Sequence, residues 1–178
     1  MKALIYFILL FIVLLTGTLY AQNTDIKLST VADTNSSFRV LNSDGSTRMR
    51  INSDGSFGLF RDTDTKLLWY PVKRAFRAGD AIGNLWFSWR CGNYSLATGY
   101  NTVAEADYST AIGYNSVAHG TASIAIGYAD SALGDYSTAL GCDVDAIADY
   151  STAMGYNTTA SANLATAMGA NTTASGTY

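Results

Sequence analysis

The sequence predicts an all-β protein, a parallel β-solenoid of fourteen-residue rungs preceded by a short β-meander, and three observations carry that expectation. Glycine recurs every fourteen residues, at Gly99, Gly113, Gly127, Gly141, Gly155 and Gly169. Alanine keeps the same period two residues before each glycine, from Ala97 to Ala167, and again five residues after it, from Ala104 to Ala174. Upstream, two copies of Asn-Ser-Asp-Gly begin at Asn42 and Asn52 and separate short strand-like segments. A fixed period marks a repeat architecture in which each unit contacts its neighbours, and such proteins work through their outer faces.

The elements follow in chain order. Residues 1–21 have the form of a secretory signal peptide: Met1-Lys2, an apolar run from Ala3 to Leu15, then a small polar flank with cleavage expected after Ala21. Residues 22–66 form the meander, with Phe38-Arg39-Val40-Leu41, Arg48-Met49-Arg50-Ile51 and Phe57-Gly58-Leu59-Phe60 as three strands around the two Asp-Gly turns. The Asn-x-Asp-Gly fragments also occur in calcium loops, but no liganding glutamate follows, so turn chemistry accounts for them. Residues 67–91 hold Trp69, Trp86 and Trp89, the single proline Pro71, and four basic residues. This junction is expected to plug the first rung, because the ends of a solenoid need covering. Residues 92–178 are the repeats.

One unit reads Tyr-Ser-Thr-Ala-Ile-Gly-Tyr-Asn-Ser-Val-Ala-His-Gly-Thr, from Tyr108 to Thr121. Fourteen residues suit two short strands joined by tight turns. Side chains alternate along a strand, so Ser109, Ala111 and Gly113 share one face and Tyr108, Thr110 and Ile112 the other. The small face is placed inside a flattened coil, with Ser116, Ala118 and Gly120 lining the second wall and the repeat-turn glycines set at the same phase in every rung. Ile112, Ile126, Leu140, Met154 and Met168 then form an outward apolar ladder flanked by tyrosines, a stripe larger than a soluble monomer leaves exposed. Burial between copies of the chain is the preferred resolution, which makes these five residues the candidate subunit interface. The reversed arrangement, with the ladder as the core, is the alternative.

Charge and composition exclude several functions. All eleven Lys and Arg residues lie at or before Arg90, and seven acids and no base follow it. Such a surface is unsuited to nucleic acid. Cys91 and Cys142 lie at least three rungs apart, too far for a disulfide within one regular stack, and are taken as filler or free thiols. His119 is the only histidine and has no partner that recurs with it, while the repeating serines serve architecture. No catalytic, cofactor or metal site is therefore expected, and the chain is not expected to be an enzyme.

The run from Tyr108 to Ala118, with its Ala-x-Gly core at six consecutive fourteen-residue intervals, resembles the head repeats of the YadA-type trimeric autotransporter adhesins. The resemblance covers residues 92–178. It implies a left-handed β-roll, three chains side by side, display at the outer membrane or cell surface of a Gram-negative bacterium or secretion from it, and attachment to extracellular matrix proteins, glycans or other surfaces. The family core reads Asn-Ser-Val-Ala-Ile-Gly, whereas Asn-Ser-Val-Ala occurs here once, shifted to Asn115 to Ala118, so no binding residue is carried over. Tyr178 opens a further rung, and the chain is expected to be a truncated piece whose anchor or chaperone domain lies elsewhere. A structural spacer in a trimeric fibre is the alternative function.

Overall fold

The computed structural model describes residues 37–41, 47–52, 55–60 and 65–176. Contacts divide the chain between Asp33 and Thr34, and every described residue belongs to the second unit. The expected signal peptide and the turn after Leu41 lie outside the described residues.

The described strands are β1 (Ser37–Leu41), β2 (Thr47–Asn52), β3 (Phe57–Phe60), β4 (Thr65–Tyr70), β5 (Ala75–Asp80), β6 (Leu96–Tyr100), β7 (Val103–Ala104), β8 (Thr110–Tyr114), β9 (Val117–Ala118), β10 (Ile124–Tyr128), β11 (Ser131–Ala132), β12 (Thr138–Ala146), β13 (Thr152–Ala160), β14 (Thr166–Ala170) and β15 (Thr173–Ala174). Strands β1 to β5 pair antiparallel in sequence order. At the second Asp-Gly turn Gly55 has φ +78° and donates its N–H to Asn52 O at 3.0 Å, as its sequence predicts. The meander has five strands where three were expected. The β4–β5 turn carries no glycine: Pro71 opens it, Arg74 takes the left-handed conformation at φ 53°, and Arg74 N donates to Pro71 O. Without an Asn-Gly or Asp-Gly signal, that hairpin is hidden in the sequence.

Strand β5 is the switch between two architectures. It pairs antiparallel with β4 and parallel with β6, setting Arg77 against Ala97 and Gly79 against Gly99. From there every rung stacks on the next in parallel, with Ala97, Ala111, Ala125, Ala139, Ala153 and Ala167 in one column and no register slip. The second column runs through β7, β9, β11, the distal halves of β12 and β13, and β15.

The alanines of both walls are buried and form one apolar cluster, so the small face is the interior and the reversed arrangement is excluded. One position is roomier: Thr102, Ser116, Asp130, Val144 and Thr158 occupy it, all buried. There the Ser116 and Thr158 hydroxyls donate to Gly127 O and Gly169 O, at 3.1 and 3.2 Å. Asp130 instead accepts from Gly141 N and Val144 N, at 2.8 and 3.1 Å. Burial pushes its carboxyl above the ordinary value of 3.8, against the pull of those two amides. At the neighbouring small position the buried hydroxyls of Ser123, Ser137 and Ser151 have no hydrogen-bond partner, while Ala165 occupies the same phase. Small volume is what that position requires.

The period-setting glycines lie within the strands, with φ between 119 and 146°, a region closed to most side chains. A Cβ on Gly113 would stand 2.0 Å from Gly127 O in the adjoining rung. Backbone geometry and stacking fix these glycines, and the thin interior does not. Two corners follow the same logic. Asn101, Asn115, Ala129, Asp143, Asn157 and Asn171 have φ of 49 to 56°, a region asparagine and aspartate favour. Tyr94, Tyr108, Ala122, Tyr136, Tyr150 and Leu164 have φ of 54 to 63°, which costs about 1–2 kcal/mol for an ordinary side chain. Their amides reach the preceding rung, as in Tyr108 N to Asn93 O at 2.7 Å, and those bonds hold the corner.

On one wall the first rung stacks on β5, and on the other, among the described strands, β7 pairs with β9 alone. Within the roll, Leu96 N donates to Ser109 O, Val103 N to Ser116 O and Glu105 N to Ala118 O; at the first rung Phe76 N donates to Ser95 O at 3.0 Å and Gly92 N to Ala104 O at 3.2 Å, while Thr102 O is met by a side chain. Arg77 adds a second donor to two of these carbonyls, with Nη1 on Ser95 O at 3.0 Å and Nη2 on Ala104 O at 2.9 Å. Trp86 Nε1 donates to Thr102 O at 2.8 Å, and Tyr70 holds the Trp86 carbonyl through its hydroxyl. Burial lowers the pKa of Arg77 and raises that of the adjacent Cys91, each shift opposed by the attraction of the other group. The expected tryptophan plug is therefore Trp86 alone, 2% exposed, assisted by an arginine. Trp69 and Trp89 face outward, because a lumen one alanine wide admits a single indole at its mouth.

Gly127→Ala should destabilise the fold by more than about 3 kcal/mol in thermal or denaturant unfolding, because it adds strain to a clash with Gly141 O. Ser137→Ala should stabilise it by about 1 kcal/mol by removing an unpaired buried hydroxyl. The raised Asp130 pKa means that the folded chain holds this proton more tightly than the unfolded one, so its contribution to stability declines as pH rises from about 4 through the raised value. Asp130→Asn should gain stability relative to the parent across that window, measured as the midpoint difference at a series of pH values.

Candidate interaction surfaces

Four columns of side chains emerge on the outer face of β6, β8, β10, β12, β13 and β14. The expected ladder is one of them: Ile112, Ile126, Leu140, Met154 and Met168 stand in register on consecutive strands and project outward. Met168 is 62% exposed, Ile126 is also exposed, and the other three are half-buried by their neighbours. Beside them runs a mixed column of Leu96, Thr110, Ile124, Thr138, Thr152 and Thr166.

Tyrosine columns border this surface on both sides. On one, Tyr94 stacks on Tyr108 at 5.0 Å and Tyr136 on Tyr150 at 5.1 Å, interrupted by Ala122. On the other, Tyr100, Tyr114 and Tyr128 stack at 5.1 and 4.9 Å, and Cys142 separates them from Tyr156. Sequence reasoning assigned no role to this second column, although its period was present. The ring spacing is the spacing of stacked strands, and each offset pair contributes about 0.5–1.5 kcal/mol. The columns stiffen the edges of a flat face that is apolar along its middle.

The corner that carries Tyr108, Tyr136 and Tyr150 presents a different chemistry. Asp107 accepts from Asn93 N and Nδ2, Asp135 from Thr121 N and Asp149 from Asp135 N, each bond joining adjacent rungs at a corner. The amide hydrogen bonds from Asn93 hold the Asp107 carboxyl below its ordinary value. Glu105 pairs with Arg90 and lies 3.1 Å from His119 Nδ1. Glu105 and His119 are fourteen residues apart and share one phase, so the stacking of adjacent rungs brings them together. The repeat serines Ser109, Ser123, Ser137 and Ser151 are enclosed in the lumen. Among the described residues no group of three or more His, Cys, Asp or Glu side chains is arranged to hold a metal ion.

Comparison with known proteins bears on the repeats alone. The family described as the YadA head domain repeat, two copies, matches residues 92–116, 118–141, 146–172 and 160–178. No curated protein and no solved structure matches the chain.

Proposed function

We propose that this chain, whose residues 92–178 are a YadA-like head domain, is an adhesion module of a trimeric adhesin, exported and carried at the surface of a Gram-negative cell or released from it. The observation that carries the reading is the face centred on Ile112, Ile126, Leu140, Met154 and Met168. It is flat, apolar and edged by stacked rings, and the alanine-lined lumen behind it has no room to take these side chains in. Water against that face is unfavourable in proportion to its apolar area. Packing the same face from three chains about one axis would remove it from solvent and leave the second wall outside. Attachment to matrix proteins, glycans or other surfaces then falls to the outer wall and the N-terminal cap.

A spacer that holds another part of the fibre away from the cell is the second reading, favoured by the unbroken register of the rungs. Ile126→Asp combined with Leu140→Asp should lower the mass measured by light scattering from trimer to monomer, since each trimer would bury three copies of two charges. A parent protein that is monomeric removes the trimer reading. Deleting residues 122–135, one whole rung, should reduce attachment to immobilised matrix if the roll is a binding head. Attachment kept in full after one and two such deletions favours the spacer.

A further inference from the structure

The N-terminal cap carries exposed aromatic surface that its structural task does not use. Trp86 closes the lumen, yet Trp89 on the adjoining 3-10 turn (Ser88–Arg90) is 66% exposed, and Phe87 and Val72 are exposed beside it. Phe87 and Trp89 meet edge to face, with ring centroids 6.2 Å apart. Between this turn and the β4–β5 hairpin lies a cleft of about 250 Å³ lined by Tyr70, Pro71, Val72, Lys73, Ser88 and Trp89. A second groove continues past Tyr70, with Phe87 and Lys66 on its walls. Among the described residues no acidic side chain lines either one. Arg90 stands over the Trp89 ring but is engaged by Glu105, whereas the Lys73 ammonium forms no salt bridge among the described residues.

We propose that this cleft binds an anionic polysaccharide, one pyranose ring on Trp89 with its carboxylate or sulfate on Lys73, and the next unit beyond Tyr70 toward Lys66. The axial C–H bonds of a pyranose form an apolar face that lies on a rigid aromatic ring. An ammonium beside the ring then selects the charged sugar. The cleft is smaller than a drug-sized pocket and fits a ring better than a peptide helix. Charge complementarity points the same way: the cations of the chain stop at Arg90, and the seven acids beyond it repel an anionic chain from the roll and leave the cap as its landing point. The proposal rests on the adhesive reading and names a ligand class for it.

The test is titration of the full chain with heparin and hyaluronan hexasaccharides, a neutral chitin hexasaccharide and single-stranded DNA, by calorimetry and tryptophan fluorescence. Binding of an anionic hexasaccharide should weaken as salt is raised. Trp89→Ala and Lys73→Glu should each reduce its affinity about tenfold, the loss expected for one aromatic or charged contact. Ser161→Ala, at the far end of the roll, should leave binding unchanged. Equal binding of the neutral sugar, or DNA binding as tight as the glycan, overturns the assignment. So does a change in solution mass on Trp89→Ala, which would make the cleft a contact between copies of the chain. Attachment to matrix is measured alongside. A parent that attaches but binds neither anionic sugar overturns this proposal alone, and one that does neither overturns the adhesive reading as well.

Discussion

The two walls of the roll lie so close that alanine fills the space between them, and the rest of the molecule answers to that distance. Ala111 on one wall and Ala118 on the other belong to a single buried cluster that repeats along the stack. A core this thin contributes little apolar burial per rung, so cohesion depends on backbone hydrogen bonds between rungs and on columns of identical side chains. Those bonds hold only if every rung bends at the same residues. That requirement explains the left-handed corners at Asn115 and Tyr108 and the positive φ at Gly113, repeated without a slip.

The same thinness sends every large side chain outward, and the two outer walls divide the consequences. One collects Ile, Leu, Met and stacked Tyr, and the other exposes Leu133, Ile147 and His119; at the corner before Tyr108, Tyr136 and Tyr150, aspartates take up amides between rungs. Asp130 is the exception, a carboxylate inside the lumen at a position where other rungs carry Ser, Thr or Val. It accepts two amides in place of donating a hydroxyl, so the rung tolerates it at the cost of desolvating a charge.

A stack has ends, and the N-terminal end shows how a parallel array can begin. Strand β5 belongs to the meander on one side and to the roll on the other, so the first wall continues from one into the other, while the second wall begins at β7. Arg77 then places a guanidinium where the next rung has Ala97, and its fork adds second donors to Ser95 O and Ala104 O, which also accept from Phe76 N and Gly92 N. An arginine suits this task because its planar donors diverge to two acceptors at once. With Trp86 and Arg77 spent on the mouth of the lumen, the remaining aromatic residues of the cap stay at the surface with Lys73 among them.

The sequence by itself determined the period, the rung length and which residues share a face, because each is a local pattern repeated until chance is excluded, whereas burial in the folded chain decided which face lies inside. The second Asp-Gly turn was legible for the same reason: its chemistry lies in adjacent residues. Tertiary structure alone decided the role of Arg77, whose partners are 18 and 27 residues away. It also decided which of three tryptophans enters the lumen and the Pro71 to Arg74 hairpin. Periodicity reports what each rung shares with the next. A cap or a contact between unlike rungs occurs once, and only the folded chain brings its parts together.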